Sequence, residues 1–192
     1  IKNSRIDIEN FYSGVCGEEI FRDIYKKYET RLKENRLIDF DDMLSYTYEL
    51  FKERPDILAL WQNKYKYILI DEFQDINRLQ YEIIKMLAAP QNNLFIVGDD
   101  DQSIYRFRGS KPEIMLGFEK DYPDAKRILL DTNYRCGRYI VEASLNLISH
   151  NRERFDKKII AASKSKAPVT FADFENRRDE NIFLIRDIDK KI

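Results

Sequence analysis

The stretch YILIDEFQD, residues 67–75, is the part of this sequence that decides its fold class. Its first four residues suit a buried strand, whereas four of the next five are polar and three of these are acids. A strand that ends in carboxylates is typical of a ligand site at the edge of a parallel sheet. A solvated strand end is the alternative, and for a bare Asp-Glu pair it would be the better interpretation.

Short apolar runs alternate with helical patterns along the chain. Strands are predicted at 66–70, 94–98 and 127–130, and helical stretches at 77–89 and 113–122 separate them. Strands that alternate with helices predict a parallel sheet with right-handed crossovers, and short all-apolar strands fit burial on both faces. The predicted fold class is therefore α/β.

Further elements are predicted before and after this sheet. Helices are expected at 18–36, 39–54, 55–64, 139–151 and 177–191. Asp39 is the predicted N-cap of the second of these helices, and Pro55 suits the first turn of the third. Residues 152–166 are polar and basic, which indicates a linker, and residues 169–174 alternate like one more strand.

The composition narrows the possible partners. The 192 residues include 33 basic and 34 acidic ones, so a groove for nucleic acid would have to be local. No segment approaches the ~20 apolar residues of a membrane span, so no membrane partner is expected. Cys16 and Cys136, with the single His150, cannot form an ordinary zinc site. Two distant cysteines favour a reducing, cytoplasmic location.

Each predicted central strand ends in a polar cluster. The clusters are DEFQD at 71–75, GDDDQS at 98–103 and DTNYR at 131–135. Because the carboxyl ends of parallel strands meet at one edge of a sheet, we expect the three clusters to form one site. The Asp-Glu pair at the first strand end is the Walker B pattern, which holds Mg²⁺ and polarises an attacking water. Because three predicted strands in succession end in polar clusters, a shared site explains the pattern better than solvated strand ends do.

The same residues carry a family resemblance. Three stretches are PcrA-like and resemble motifs II, III and IV of superfamily 1 DNA helicases of the UvrD/Rep type. They are ILIDEFQD (68–75), VGDDDQSIYRFRGS (97–110) and LDTNYR (130–135). IDFDDML (38–44) resembles the segment that follows the inserted 1B domain of that family. The chain is identified as a member of this family, and the resemblance implies a RecA-like P-loop NTPase fold with a preceding helical segment.

One part of the family pattern has no counterpart here. No glycine in the chain is followed by lysine, so the phosphate-binding G-x-x-x-x-G-K-[ST] loop is not in this sequence. The resemblance therefore implies an internal, partial portion of a helicase. Residues 1–36 would end the helical 1B subdomain, 37–133 would form the second half of domain 1A, and 134–192 would begin domain 2A. The remaining partner would be the rest of the helicase chain, namely the P-loop half of 1A, 2A and 2B.

The resemblance also implies residue roles at a site for the cofactors ATP and Mg²⁺. The catalytic residues would be Glu72 as the base, Gln102 as the γ-phosphate sensor, and Arg135 as the arginine that neutralises charge during phosphoryl transfer.

Three further residues would bind the cofactors. Asp71 would associate with Mg²⁺, Gln74 would complete motif II, and Tyr134 would stack on adenine. The run of three acids at 99–101 is interpreted as a solvated turn and helix cap rather than a set of metal ligands.

DNA contacts are implied for four residues. Tyr105 and Phe107 resemble aromatics on which single-stranded bases stack, and they interleave with basic residues such as Arg108. Phe40 matches another aromatic of the DNA channel, although it fits the apolar stripe of its own helix at least as well. The implied partners are single-stranded DNA and DNA duplex junctions.

Three functions stay open on the sequence. The first is ATP-driven translocation and DNA unwinding in a DNA repair context. A full-length protein would perform it, and this chain alone would be inactive. The second is a non-catalytic DNA-binding or interaction module derived from a helicase. The third is the helicase part of a helicase–nuclease. The intact Glu72, Gln102 and Arg135 favour the first over the second, because a non-catalytic module has no need of hydrolytic groups.

Overall fold

The computed structural model describes a chain with two compact units, Ile1–Lys126 and Arg127–Ile192. The described residues are 2, 6–103, 110–165 and 167–191. Each unit combines helices with a small two-stranded parallel sheet. The predicted α/β class is confirmed, since both units contain helices and a parallel sheet.

Helices open the first unit. After a short 3₁₀ turn at Ile8–Asn10 they are α1 (Glu18–Glu34), α2 (Phe40–Glu53) and α3 (Pro55–Lys64). Asp39 caps α2 as predicted, because its side chain accepts from the backbone N–H of Asp42 at 2.8 Å while the Asp42 carboxylate accepts from the N–H of Asp39 at 3.1 Å. Pro55 is the first residue of α3. A backbone N–H at this position has no partner within the helix, so the missing N–H of proline costs no hydrogen bond.

The sheet of the first unit contains the first two predicted strands. They are β1 (Ile68–Ile70) and β2 (Leu94–Ile96), which pair in parallel and are joined through α4 (Arg78–Ala88). Ile70 and Ile96 pack on the core, but Leu69 and Phe95 point to the other face and are exposed. Within the described residues only one face of this sheet is buried, so the predicted burial on both faces is not found in this chain.

The core of this unit is built around Phe73, which is 0% exposed. Its ring meets Tyr81 edge-on at 5.9 Å between centroids and Phe118 at 5.6 Å. A second cluster of Phe51, Leu79 and Ile83 joins α2 to α4. The DEFQD stretch thus anchors the core through its only apolar residue.

The helix predicted at 113–122 is two short helices, α5 (Pro112–Leu116) and α6 (Phe118–Asp121). They meet at Gly117, and the low helix propensity of glycine accounts for the break.

The second unit contains β3 (Thr132–Gly137), α7 (Arg138–Ile148), β4 (Ile160–Ser163) and α8 (Arg177–Asp189). The two predicted helices are confirmed, but the strands differ from the prediction. No strand forms at 127–130 or 169–174, and β4 lies inside the stretch predicted as a linker.

The third polar cluster consequently has a different setting from the expected one. Its residues 132–135 lie within β3 rather than beyond a strand, and β3 pairs in parallel with β4 instead of joining β1 and β2. A single sheet of three central strands is therefore wrong. Among the described residues, no helix has the length and apolarity that a membrane crossing requires.

Candidate functional site

The first two polar clusters lie side by side. The backbone N–H of Val97 donates to the carbonyl of Ile70 at 2.8 Å, and the N–H of Phe73 donates to the carbonyl of Val97 at 2.9 Å. These bonds continue the pairing of β1 and β2 beyond the strands. The structure thus brings DEFQD next to GDDDQS, as expected for neighbouring parallel strands.

A sharp backbone turn separates the acids from the core. Glu72 adopts a left-handed conformation, with φ 51° and ψ 41°, and a 3₁₀ turn at Phe73–Asp75 follows it. A left-handed backbone at a non-glycine residue costs roughly 1–3 kcal/mol. The turn directs Phe73 inward and leaves Asp71 and Glu72 exposed.

Gln74 lies buried beneath the exposed acids, with 1% of its surface accessible. Its side-chain nitrogen Nε2 donates to Oε2 of Glu72 at 2.7 Å, and its oxygen Oε1 accepts from the backbone N–H of Asp99 at 3.0 Å. Both ends of the amide are therefore engaged by protein groups. The predicted contribution of Gln74 to cofactor binding stays a prediction.

The acidic run after β2 forms a capped turn. Asp99 accepts from the backbone N–H of Asp101 at 3.2 Å and from Nε2 of Gln102 at 2.9 Å, and a 3₁₀ turn spans Asp100–Gln102. The interpretation as a turn and cap is confirmed. The run is not uniformly solvated, however, because Asp100 is buried.

Asp71 offers one exposed carboxylate at the end of β1. Its oxygen Oδ1 accepts from the backbone N–H of Glu72 at 2.9 Å. Within the part of the chain that the structure describes, no hydrogen bond engages its other oxygen. Mg²⁺ in nucleotide sites keeps several waters and takes one or two carboxylates together with phosphate oxygens. Asp71 could supply the carboxylate of such a site, and phosphate oxygens and waters would have to supply the remaining ligands.

A second acidic cluster, formed by Glu29, Asp39 and Asp42, is close enough to hold a metal ion. The ammonium of Lys2 already lies among the three carboxylates, at 2.6, 2.9 and 2.6 Å respectively. Burial lowers the pKa of Lys2, but its hydrogen bonds to these acids outweigh that effect and raise the pKa well above its ordinary value. The cluster is an ion-pair network of the helical segment.

Tyr134 and Arg135 are presented by an interruption in β3. The pairing of β3 with β4 is irregular between Asn133 and Gly137. There the Asn133 side chain accepts from the backbone N–H of Arg135 at 2.9 Å and from that of Cys136 at 2.8 Å. Tyr134 is 82% exposed as a result, and Arg135 is exposed as well. The supporting role of Asn133 was not predicted, although its place beside two candidate residues is a signal for it.

The predicted DNA contacts are only partly described. Phe40 is the first residue of α2 and is 84% exposed, so the alternative that it packs in the core is wrong for this unit. Tyr105, Phe107 and Arg108 lie outside the described residues.

Comparison with known proteins gives consistent matches. The family model for the UvrD/REP helicase N-terminal domain matches residues 2–123. The chain is 45% identical over 193 residues to the putative ATP-dependent DNA helicase YjcD of Bacillus subtilis, covering 100% of this chain and 25% of that protein. It is 41% identical over 167 residues to the ATP-dependent DNA helicase PcrA of Staphylococcus aureus, covering 87% and 23%. The PcrA protein of Staphylococcus epidermidis matches with the same identity and coverage. The chain spans about a quarter of the length of these curated relatives.

Proposed function

The chain belongs to the UvrD/REP helicase family, and from this premise we propose that it is part of an ATP-dependent DNA helicase. The full-length protein would couple ATP hydrolysis to movement along single-stranded DNA and to unwinding at duplex junctions. One observation carries the proposal. A chain of hydrogen bonds runs from Glu72 through Gln74 and Asp99 to Gln102, and so links the candidate base to the candidate γ-phosphate sensor.

Each group in this proposal has a distinct task. Asp71 would hold Mg²⁺ through water, and the bound ion would neutralise charge on the phosphate oxygens. Glu72 would orient the attacking water and accept its proton at a carboxylate oxygen. Gln102 would donate from its amide to the γ-phosphate. Arg135 would place positive charge there and Tyr134 would stack on adenine.

We also propose a RecA-like fold for the first unit, completed by segments that this chain does not contain. The exposed apolar face of β1 and β2 supports this, because Leu69 and Phe95 would be buried by further layers of such a domain. The phosphate-binding loop would belong to that other part. We propose the domains as 1B ending near residue 36, 1A continuing to 133 and 2A following. The proposed end of 1A at 133 falls inside β3, whereas the two compact units divide between Lys126 and Arg127.

DNA binding is proposed for the surface that carries Phe40. An exposed aromatic at the start of a helix can stack on a base, which contributes about 1–3 kcal/mol per base. Tyr105, Phe107 and Arg108 are proposed as further contacts on the strength of the family resemblance. A repair role is proposed on the same basis, and a cytoplasmic setting is proposed from the two distant cysteines.

The test is the single substitution Glu72→Gln in the full-length protein. It keeps the shape of the side chain and removes the carboxylate that orients water. ATP binding should persist, whereas hydrolysis stimulated by single-stranded DNA should fall by roughly 10²–10⁴-fold, the range for loss of a general base. The matched control is Glu53→Gln, an exposed glutamate at the end of α2, which should leave the rate unchanged.

The competing functions give different results in the same experiment. A non-catalytic module would show no DNA-stimulated hydrolysis before any substitution. A helicase–nuclease would show the predicted loss together with strand cleavage by the unsubstituted protein. Equal loss of ATP binding and hydrolysis in Glu72→Gln would assign Glu72 a structural role instead.

A further inference from the structure

A buried amide holds the candidate base in place. We propose that Gln74 is a positioning residue, which fixes the Glu72 carboxylate relative to the strand end that carries Gln102. This inference rests on the proposed function, because it takes Glu72 as the base. It differs from the direct contact with nucleotide that the family resemblance suggested.

The hydrogen bonds of Gln74 permit only one orientation of its amide. The nitrogen must face Glu72, because a carboxylate can only accept, and the oxygen must face Asp99, because a backbone N–H can only donate. Rotation of the amide by half a turn would break both bonds. Because the side chain is only 1% exposed, bulk solvent scarcely reaches the amide to compensate for the lost bonds, so the observed orientation is strongly favoured.

Gly98 makes room for this amide. A Cβ atom at position 98 would lie 2.6 Å from Oε1 of Gln74 and 3.2 Å from the backbone nitrogen of Phe73. The first distance is shorter than Cβ contacts in proteins, so the Gln74 amide would have to move, and the second would require the backbone at Phe73 to shift by a few tenths of an ångström. The site that receives the Gln74 amide therefore depends on the missing side chain of Gly98.

The link continues to the second strand end. Asp99, whose N–H holds the Gln74 oxygen, accepts from the side chain of Gln102 through its own carboxylate. A shift of the turn at 99–102 would therefore move the amide that holds Glu72. One buried side chain thus connects two exposed groups that lie on different strand ends.

The first test is Gln74→Leu in the full-length protein, since leucine keeps similar volume and makes no hydrogen bond. We expect the ATP turnover number with single-stranded DNA to fall about 10- to 100-fold, the range for loss of a hydrogen bond to a charged group. The KM for ATP should change little, because no nucleotide contact is removed. Gln62→Leu is the matched control, because it removes a 2.8 Å bond from a glutamine to the carbonyl of Met86, and it should leave the turnover number unchanged.

The second test, Gln74→Glu, has a readout that a purely structural role would not move. The introduced carboxyl would face the Glu72 carboxylate, and like charges at hydrogen-bond distance raise the pKa of one of the pair. As pH falls, the introduced carboxyl gains a proton and can donate to Glu72 as the amide does. The ratio of the variant's rate to the wild-type rate should therefore rise as pH falls.

Burial reinforces that direction. Among the described residues, the charged ones in the adjoining turns and at the start of α5 are Asp71, Glu72, Asp75, Asp99, Asp100, Asp101, Lys111 and Glu113. Position 74 is buried, and burial disfavours the charged form of a carboxyl group, so protonation of the introduced carboxyl is favoured. Taking the ratio to wild type removes the pH dependence that both proteins share.

A double substitution separates positioning from independent action. In single-turnover measurements, Gln74→Leu should add almost nothing to the loss already caused by Glu72→Gln, because the group that it positions is gone. Multiplicative losses would overturn the proposal. A wild-type turnover number in Gln74→Leu would also overturn it. The same holds if Gln74→Leu lowers the melting temperature but each folded molecule turns over ATP at the normal rate.

The remaining outcomes are also decisive. If Gln74→Leu does not fold, the pH ratio of Gln74→Glu decides, and a flat ratio overturns the positioning role. If Glu72→Gln keeps full hydrolysis, the proposed function fails before Gln74 is considered. If Glu72→Gln is inactive and Gln74→Leu is fully active, only the inference about Gln74 fails.

Discussion

The most direct check of the fold compares Phe73→Ala with Phe95→Ala. Phe73 is 0% exposed, whereas Phe95 is 57% exposed on the open face of the sheet. Truncation of a fully buried phenylalanine costs about 3–5 kcal/mol of unfolding free energy. Burying a whole phenylalanine side chain contributes about 1.5–3 kcal/mol, and less than half of Phe95 is buried, so Phe95→Ala should cost only about 1 kcal/mol.

Urea unfolding of the chain followed by tryptophan fluorescence measures this difference. Trp61 is the single tryptophan and lies in α3 of the first unit, so its signal reports the unit that contains both phenylalanines. With an m-value of about 2 kcal/mol per molar, Phe73→Ala should lower the midpoint by roughly 1.5–2.5 M and Phe95→Ala by roughly 0.5 M. Equal shifts, or a larger shift for Phe95→Ala, would refute the assignment of Phe73 to the core.

Three further predictions concern activity, DNA binding and pH. The chain alone should show no ATP turnover above background in a phosphate-release assay with single-stranded DNA, because it has no phosphate-binding loop; turnover that Glu72→Gln abolishes would contradict this. In the full-length protein, Phe107→Ala should weaken single-strand affinity roughly 5- to 150-fold with little change in melting temperature, while Phe107→Trp should bind at least as well. A collapse of the melting temperature with normal DNA binding would place Phe107 in the core. Burial raises the pKa of Asp39, but hydrogen bonds from Lys2, Asp42 and Tyr28 outweigh this effect and lower the pKa. The stability that Asp39 contributes should therefore be present near neutral pH. It should be lost as the pH falls below the ordinary pKa of an aspartate. An Asp39→Asn variant should lack that part of the acid-side loss in thermal unfolding.

The local sequence pattern was sufficient to predict elements whose structure depends mainly on their own residues. The alternation of apolar runs and helical stretches predicted β1, β2 and the helices around them, and the cap at Asp39 was visible in the residue type alone. The motif resemblance identified the family correctly, because 68–75 and 97–110 are long and specific.

Pairing between distant segments was not predictable from local pattern. The run RILL at 127–130 is apolar enough for a strand, yet β3 forms in the polar residues that follow, because its partner Ile160–Ser163 aligns with Thr132 and Asn133. That partner lies in a basic stretch whose composition indicates a linker. Strand propensity depends on the neighbouring strand, which the order of residues does not reveal.

The motifs nominate residues for the candidate site but do not give their arrangement. Asp71, Glu72 and Gln102 follow from the motifs. The burial of Gln74 and the space left by Gly98 depend on contacts between two strand ends, and only the structure shows them.

The left-handed backbone at Glu72 has a consequence for natural variation and for mutational screens. Glycine, asparagine and aspartate accept that conformation most readily, whereas valine and isoleucine resist it. A screen that scores cellular abundance would therefore rank Glu72→Gly among the mildest changes, although it deletes the acid. Glu72→Asp retains an acid but is one methylene shorter, which draws the carboxylate away from the Gln74 amide. Abundance at this position should therefore follow tolerance of the left-handed backbone, while activity should follow the position of the carboxylate, so the two rankings should differ most for Glu72→Gly.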